Sequence, residues 1–357
     1  KGVLNMKNNP KISVIIPVYN CDKYIKRLIE SILIQNYTNY EVIILNDGST
    51  DNTKSILDAI NDKKFTIINK KNSGVSDSRN IGIAHSTGEL LLFLDSDDYI
   101  NKNYFSTIIK IYKNYQDVDL INFGFYSEVE DKNLNVISSD KINYKTILLK
   151  NKNMIKKNFV DLWDNTMLYN VWNKVYITEI IKKNNIRFYD KNWGEDVQFN
   201  REYLLLTNKL YNSNSCFYHY IRERQGAQTK KYNPDLFNIR KKEFYEFNEY
   251  FEKYHIIKEE YYEFSCRRYI ERVLGCIENV YNGNLKIKSR YLQIKNIIND
   301  PLTIEAIKHV KPNIKKIKIM IIPIKLKLVI LTMVMGKSFN IMKNKFPGLF
   351  NKMKNRR

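Results

Sequence analysis

The strongest constraint on the fold is an alternation in the first hundred residues. Four short apolar runs, Ile12–Pro17, Glu41–Leu45, Phe65–Ile68 and Leu90–Leu94, are rich in branched side chains. Runs of this length read as buried strands. Between them lie segments with apolar residues three and four apart. Asp22–Gln35 carries Ile25, Leu28, Ile29, Ile32 and Leu33 at helical spacing, with Asp22 as its candidate N-cap. Asp51–Ile60 and Val75–His85 read as the next two helices. Repetition of strand and helix predicts an α/β fold, a mostly parallel sheet with helices on both faces. In such sheets ligands bind beyond the carboxyl ends of the strands. Those ends are Pro17–Asn20, Asn46–Gly48, Asn69–Lys71 and Asp95–Asp98, and polar residues gather there. No Gly-x-Gly-x-x-Gly follows the first strand, and no Walker A sequence occurs.

The pattern continues less regularly. Val118–Tyr126 predicts a further strand, and residues 127–160 read as a polar, Lys/Asn-rich insertion with a helix near its end. Tyr176–Asn184 and Gly194–Thr207 read as helices and Cys216–Ile221 as a strand. From Leu236 to Tyr281 aromatic and apolar residues step by three and four, which predicts a small helical domain. The expected organisation is an α/β domain over 1–230, a helical domain over 231–310 and a tail over 311–357.

Charge sharpens the last boundary. The chain carries 59 Lys+Arg against 38 Asp+Glu, net +21. Residues 311–357 hold 13 Lys+Arg and no acid, so most of the excess sits there. Lysines mixed with Ile, Leu, Met and Phe suit an anionic membrane surface better than nucleic acid. Phe339, Met342, Phe346, Leu349 and Met353 step by three and four and form the expected apolar face. The alternative is a tail docked on protein. The body shows no basic run or motif of a nucleic-acid binder, and no uncharged apolar stretch is long enough to span a bilayer. Lys1–Met6 has no apolar core of signal-peptide length. Cys21, Cys216, Cys266 and Cys276 show no metal or redox spacing and read as free thiols.

Asp95-Ser96-Asp97 closes a strand of apolar residues. Two carboxylates one residue apart at an extended chain end project the same way, which suits a hard divalent cation. An Asp-rich turn with capping roles is the plainer reading.

Four ordered stretches decide between them: Ser13–Asn20 (SVIIPVYN), Asn46–Asp51 (NDGSTD), Asn72–Gly82 (NSGVSDSRNIG) and Gly88–Asp98 (GELLLFLDSDD). Together they resemble the family 2 inverting glycosyltransferases with their GT-A fold, of the bacterial capsule and surface-glycan type. The resemblance implies that Pro17, Val18 and Tyr19 line a base pocket and that Asp47 accepts from the uracil N3–H. It implies Arg79 near the nucleotide or its phosphates, with Asn72 and Gly74 shaping the loop beneath. Asp95 and Ser96 would meet the ribose or donor sugar, and Asp97 would ligate Mg²⁺ or Mn²⁺. Asp98 would be a weaker ligand or a helix cap. The family often has Asp where this chain has Asn46.

Trp193–Phe199 (WGEDVQF) resembles the acceptor-side motif, in which a carboxylate is general base. Asp196 is the expected base and Glu195 its neighbour, with Trp193 placed to stack on an acceptor sugar. Val171–Tyr176 (VWNKVY) resembles a motif of cell-wall members; Trp172 and Lys174 there are read as either acceptor-facing or architectural. Tyr218–Gly226 resembles the segment after the base, from which His219, Arg222 and Arg224 are candidates for diphosphate.

The implied activity is transfer from a UDP-sugar to a growing, lipid-linked glycan by an enzyme peripheral on the cytoplasmic membrane face, with a homo-oligomer left open. A nucleotidyltransferase is the rival enzyme, but Pro17–Asn20 supplies no Gly-rich basic loop for a triphosphate. A degenerate sugar-nucleotide-binding scaffold is the non-catalytic rival.

Overall fold

The computed structural model describes residues 9–115, 117–189, 194–222, 232–311 and 315–345. The chain divides into two compact units, one up to Glu223 and one from Arg224.

The first unit runs β1 (Ile12–Val18), α1 (Ile25–Leu33), β2 (Tyr40–Asp47), α2 (Thr53–Asp58), β3 (Phe65–Lys70), α3 (Val75–His85) and β4 (Leu90–Phe93). It continues with β5 (Tyr99–Ile100), α4 (Tyr104–Asn114), β6 (Leu120–Glu130), β7 (Val136–Ile142), β8 (Ile147–Leu149) and α5 (Lys152–Asp164). It closes with β9 (Lys174–Ile177), α6 (Thr178–Lys183), α7 (Glu195–Leu206) and β10 (Leu210–Arg222). The strand order is β3-β2-β1-β4-β9-β6-β10-β5, with β7 on β6 and β8 on β10.

The first four strands are parallel, as the alternation predicts. All seven residues of β1 are buried. Helix α3 lies flush on β1 because it presents Gly82; a Cβ there would stand 2.4 Å from Ile15 Cγ2. The other half of the sheet is mixed: β9 is antiparallel to β4 and to β6, while β10 is parallel to β6.

Three local expectations need correction. Helix α1 starts at Ile25, and Asp22 does not cap it. The Asp22 amide instead donates to Asp51 Oδ2 at 3.2 Å, and the Cys21 amide to Thr53 Oγ1 at 2.9 Å, tying the turn after β1 to α2. The polar stretch after residue 127 is no loose insertion: β6 runs on and pairs antiparallel with β7. Residues 174–177 are strand, so the helix read over Tyr176–Asn184 begins only at Thr178. Short apolar runs without clear periodicity leave strand and helix undecided, and sheet pairing settles them here.

The second unit is helical: α8 (Leu236–Lys253), α9 (Lys258–Asn279), α10 (Ile287–Asn299), α11 (Pro301–His309), α12 (Lys315–Lys325) and α13 (Val329–Lys345). Its core joins Tyr269, Val273 and Ile277 of α9 to Ile294 and Ile298 of α10. Met320 and Ile324 of α12 and Phe339 of α13 enter the same core. The described residues 315–345 therefore fold with the helical unit and not as a tail apart from it. All four cysteines are buried and none is in a disulfide.

Candidate functional site

Parallel pairing in the first unit aligns the ends of β1, β2, β3 and β4 along one sheet edge. The β2 end carries Asp47, which is nearly buried. Its Oδ1 accepts from the Ser73 amide and its Oδ2 from the Gly74 amide, each at 2.9 Å. Lys70 is its salt-bridge partner and also lies 3.1 Å from Asp77 Oδ2. Asp47 thereby shapes the turn between β3 and α3. Gly74 has φ +93°, a conformation that favours glycine. Gly48 has φ +72°, and a Cβ there would meet the Asn72 amide nitrogen at 2.9 Å. Asn46 is structural: its Nδ2 donates to Asn69 Oδ1 at 2.7 Å.

The centre of the site is Arg79 on α3. It is 3% exposed. Nη1 donates to Asp196 Oδ1 at 2.7 Å and Nη2 to Asp95 Oδ1 at 3.0 Å, while Glu195 Oε1 lies 3.8 Å from Nη1. Its guanidinium carbon sits 5.1 Å from the centre of the Phe188 ring. Asn80 clamps that phenylalanine, donating to its carbonyl at 2.7 Å and accepting from its amide at 2.9 Å. Burial works against the charge on Arg79, but the three carboxylates outweigh it and hold its pKa above the usual value. One planar fork thus joins the end of β4 to the start of α7.

Asp196 is the perturbed carboxyl. Burial pushes its pKa up to about 6; Arg79 opposes the rise, and Glu195 and Asp95 add to it. Its Oδ2 also accepts from the Val171 amide at 3.3 Å. A carboxylate poised near neutral pH beside a solvent-reachable edge suits a general base.

Behind the Asp95–Asp98 turn lies a second carboxyl. Asp98 is fully buried. It accepts from the Tyr218 hydroxyl at 2.5 Å and from the Ile221 amide at 2.8 Å. The same hydroxyl accepts from the Asp95 amide at 3.1 Å. Burial, with Asp97 and Asp95 adding to it, raises the Asp98 pKa well above the carboxylate range. The turn is thus fastened to β10. Arg27 of α1 braces it from the other side, donating to the Asp97 carbonyl at 3.3 Å while paired with Glu130.

The glycosyl transferase family 2 profile matches residues 13–171. Those residues are a family 2 glycosyltransferase domain. Glycosyltransferase GlyA of Streptococcus pneumoniae serotype 4 is 31% identical over 224 residues, covering 62% of this chain but 32% of GlyA. The chain therefore spans about a third of that relative. Glycosyltransferase EpsJ of Bacillus subtilis is 25% identical over 307 residues, 84% of this chain and 87% of EpsJ. Among solved structures, S. aureus TarS superposes with a TM-score of 0.59 at 20% identity, over 92% of this chain and 55% of TarS. TarS 1-349 in complex with UDP-GlcNAc superposes at 0.51 over 92% and 91%. These likenesses establish the GT-A fold.

Within that fold, the residues marked from the sequence take the following places. Arg79 reaches the three carboxylates described above. Pro17 and Val18 are buried in β1, so only Tyr19, 48% exposed, offers a ring to a base. Ser96 is buried, its Oγ 2.9 Å from Cys21 Sγ. Trp172 is buried in a stack with Tyr218 (4.3 Å) and Tyr220 (5.2 Å). Lys174 is wholly buried, donating to the Asn170 carbonyl at 2.5 Å and to Asn173 Oδ1 at 2.9 Å. Burial brings its pKa down to about 7, with Asp196 opposing.

His219 is stacked between Tyr99 and Tyr126, with its nitrogens 3.0 Å from Glu128 and 3.1 Å from Asn101. Arg222 pairs with Asp140 at 3.0 Å. Both are engaged in holding β10 to its neighbours. Asp98 caps no helix. Asn72 is exposed at the loop, and Asp97 is half-buried at the turn. Trp193 and Arg224 lie outside the described residues. Sequence reasoning passed over Tyr218, Phe188 and Arg27; only the tyrosine stood in a motif.

Proposed function

We propose that this chain is an inverting glycosyltransferase that moves a sugar from a UDP-sugar to a hydroxyl of a lipid-linked glycan at the cytoplasmic membrane face. The observation that carries the reading is Asp196, a carboxyl with its pKa pushed to about 6, joined through Arg79 to the Asp95 turn. Solved structures of TarS 1-349 with UDP and with UDP-GlcNAc support a uridine diphosphate donor.

The acceptor hydroxyl oxygen attacks the anomeric carbon in line. Its proton passes to Asp196, the bond from that carbon to the β-phosphate oxygen breaks, and UDP leaves with the electron pair. One displacement inverts the centre, so a single base suffices. Glu195, at the N-terminus of α7, adds negative charge beside the base. Tyr19 offers its ring to the uracil.

Asp95 and Asp97 are hard oxygen donors at one chain end, a set that fits Mg²⁺ or Mn²⁺. Among the described residues no group of three or more His, Cys, Asp or Glu side chains is arranged to hold a metal ion by itself, so the donor's own diphosphate would have to complete the set. A bound divalent ion would neutralise charge on the departing diphosphate.

The test uses two variants and release of UDP from a donor panel. Asp196→Asn should reduce transfer by about a thousandfold while UDP affinity stays within about twofold. Asp97→Ala should abolish the Mn²⁺ dependence of UDP binding in calorimetry. Retained turnover in the first, or an unchanged titration in the second, refutes the corresponding role.

A further inference from the structure

Helices α12 and α13 are apolar on two faces. Met320, Ile324 and Phe339 point into the core of the second unit, and Tyr281 donates to the Met333 carbonyl at 2.6 Å. On the outward side lie Ile319, Ile322, Leu326, Ile330, Val334 and Ile341, all exposed. Ile330 is 72% exposed and Leu326 61%. Ile319 and Ile322 are three apart on α12, and Ile330, Val334 and Ile341 are four and seven apart on α13, so each set shares one side of its helix, with Leu326 in the turn that follows α12. Lys318, Lys325 and Lys327 are exposed near the α12 set, and exposed Lys337 falls within the α13 set. This outward side is not the face that the sequence marks. Phe339 is in the core and Met342 packs against it, while Phe346, Leu349 and Met353 lie outside the described residues.

An exposed apolar stripe of this extent has to be covered by something. We infer that the outward stripe of α12 and α13 docks on an anionic lipid surface, the two helices lying in the plane of the interface.

Charge selects that occupant. Residues 311–357 carry 13 basic side chains and no acid. A second copy of the chain would bring the same positive charge against itself, which disfavours self-docking. A bilayer with anionic headgroups accepts branched side chains at the acyl boundary and lysines at the headgroups. The helices have 11 and 17 residues, and no described helix is long and apolar enough to cross a membrane. Flat attachment is the geometry that remains. The inference deepens the placement of the enzyme beside a lipid-linked acceptor and rests on that reading for its purpose, though its test does not involve sugar transfer.

The experiment is vesicle flotation of the full chain, with phosphatidylcholine vesicles alone or with about one-third phosphatidylglycerol. The chain should float with the anionic vesicles and lose this at high salt. The exposed triple substitution Ile322→Gln, Ile330→Gln, Val334→Gln should lower partitioning by about tenfold or more without changing the melting temperature. Equal flotation of both proteins, or no flotation of the wild type, overturns the inference. So does a wild-type dimer in sedimentation that the triple variant turns into a monomer, since a second copy would then cover the stripe. UDP release is measured without vesicles in the same preparations. Its failure would count against sugar transfer and leave the docking result standing.

Discussion

Arg79→Gln offers the sharpest test of the site. The substitution removes the one positive charge shared by Asp196, Asp95 and Glu195 and keeps a polar side chain of similar length. The Arg79–Asp196 contact is 2.7 Å between atoms, which puts the charge centres about 4 Å apart. At an effective dielectric constant of about 20 that attraction is on the order of 4 kcal/mol. One pKa unit is about 1.4 kcal/mol, so the loss corresponds to about 3 units on Asp196. Its side chain keeps 20% exposure, and water entering beside it restores part of the loss. A rise of about 2 units is therefore expected, from about 6 to about 8. The base must be ionised to accept a proton. At pH 7 the ionised share falls from about nine-tenths to about one-tenth, so kcat should drop by roughly tenfold and recover near pH 9. The assay is the pH profile of kcat at saturating donor and acceptor. Arg79→Lys keeps the charge and should leave the acid limb near pH 6. A Gln variant that loses activity with its acid limb still near 6 would refute the claim that Arg79 keeps the base ionised.

Two further substitutions probe the buried groups around that centre. Asp98→Asn keeps polar atoms in place to meet the Tyr218 hydroxyl and the Ile221 amide and should cost less stability than Asp98→Ala, which orphans both and should cost about 2–4 kcal/mol; equal losses in thermal denaturation would contradict the role of these hydrogen bonds. Lys174 has a folded pKa of about 7 against an unfolded value near 10.4, so the unfolded chain binds more protons between those pH values. Wild-type stability should rise with pH across that window relative to Lys174→Met, and parallel stability curves for the two proteins would show that Lys174 is not held in a depressed state.

Much of the site was legible before folding was considered. Asp47, Asp95, Asp97, Glu195 and Asp196 stand in runs of residues whose spacing carries the chemistry, so their neighbourhood could be read locally. Arg79 stood in one of those runs, but the carboxylates that it meets could not be read from it. Its acceptors are 16 and 117 residues away, and that pairing depends on α3 lying flush on β1 at Gly82. His219 and Arg222 look like phosphate ligands in a list of residue types. In the sheet, β10 runs beside β6, and their partners Glu128 and Asp140 come from β6 and the adjoining β7. Trp172 and Lys174 were open between an acceptor-facing and an architectural reading, because residue type does not reveal burial.

The amino-acid sequence by itself determined the order of strands and helices in the first hundred residues, the family, the candidate carboxylates and the concentration of positive charge after residue 310. These follow from hydrophobic periodicity and short motifs, which act between near neighbours in the chain. Tertiary structure alone decided which charged groups neutralise one another, that Asp98 is buried against Tyr218, and which side of α12 and α13 is left exposed. Those outcomes depend on strand register and helix packing, which bring together residues a hundred or more positions apart. The energy of a buried charge is set by the partners that packing supplies.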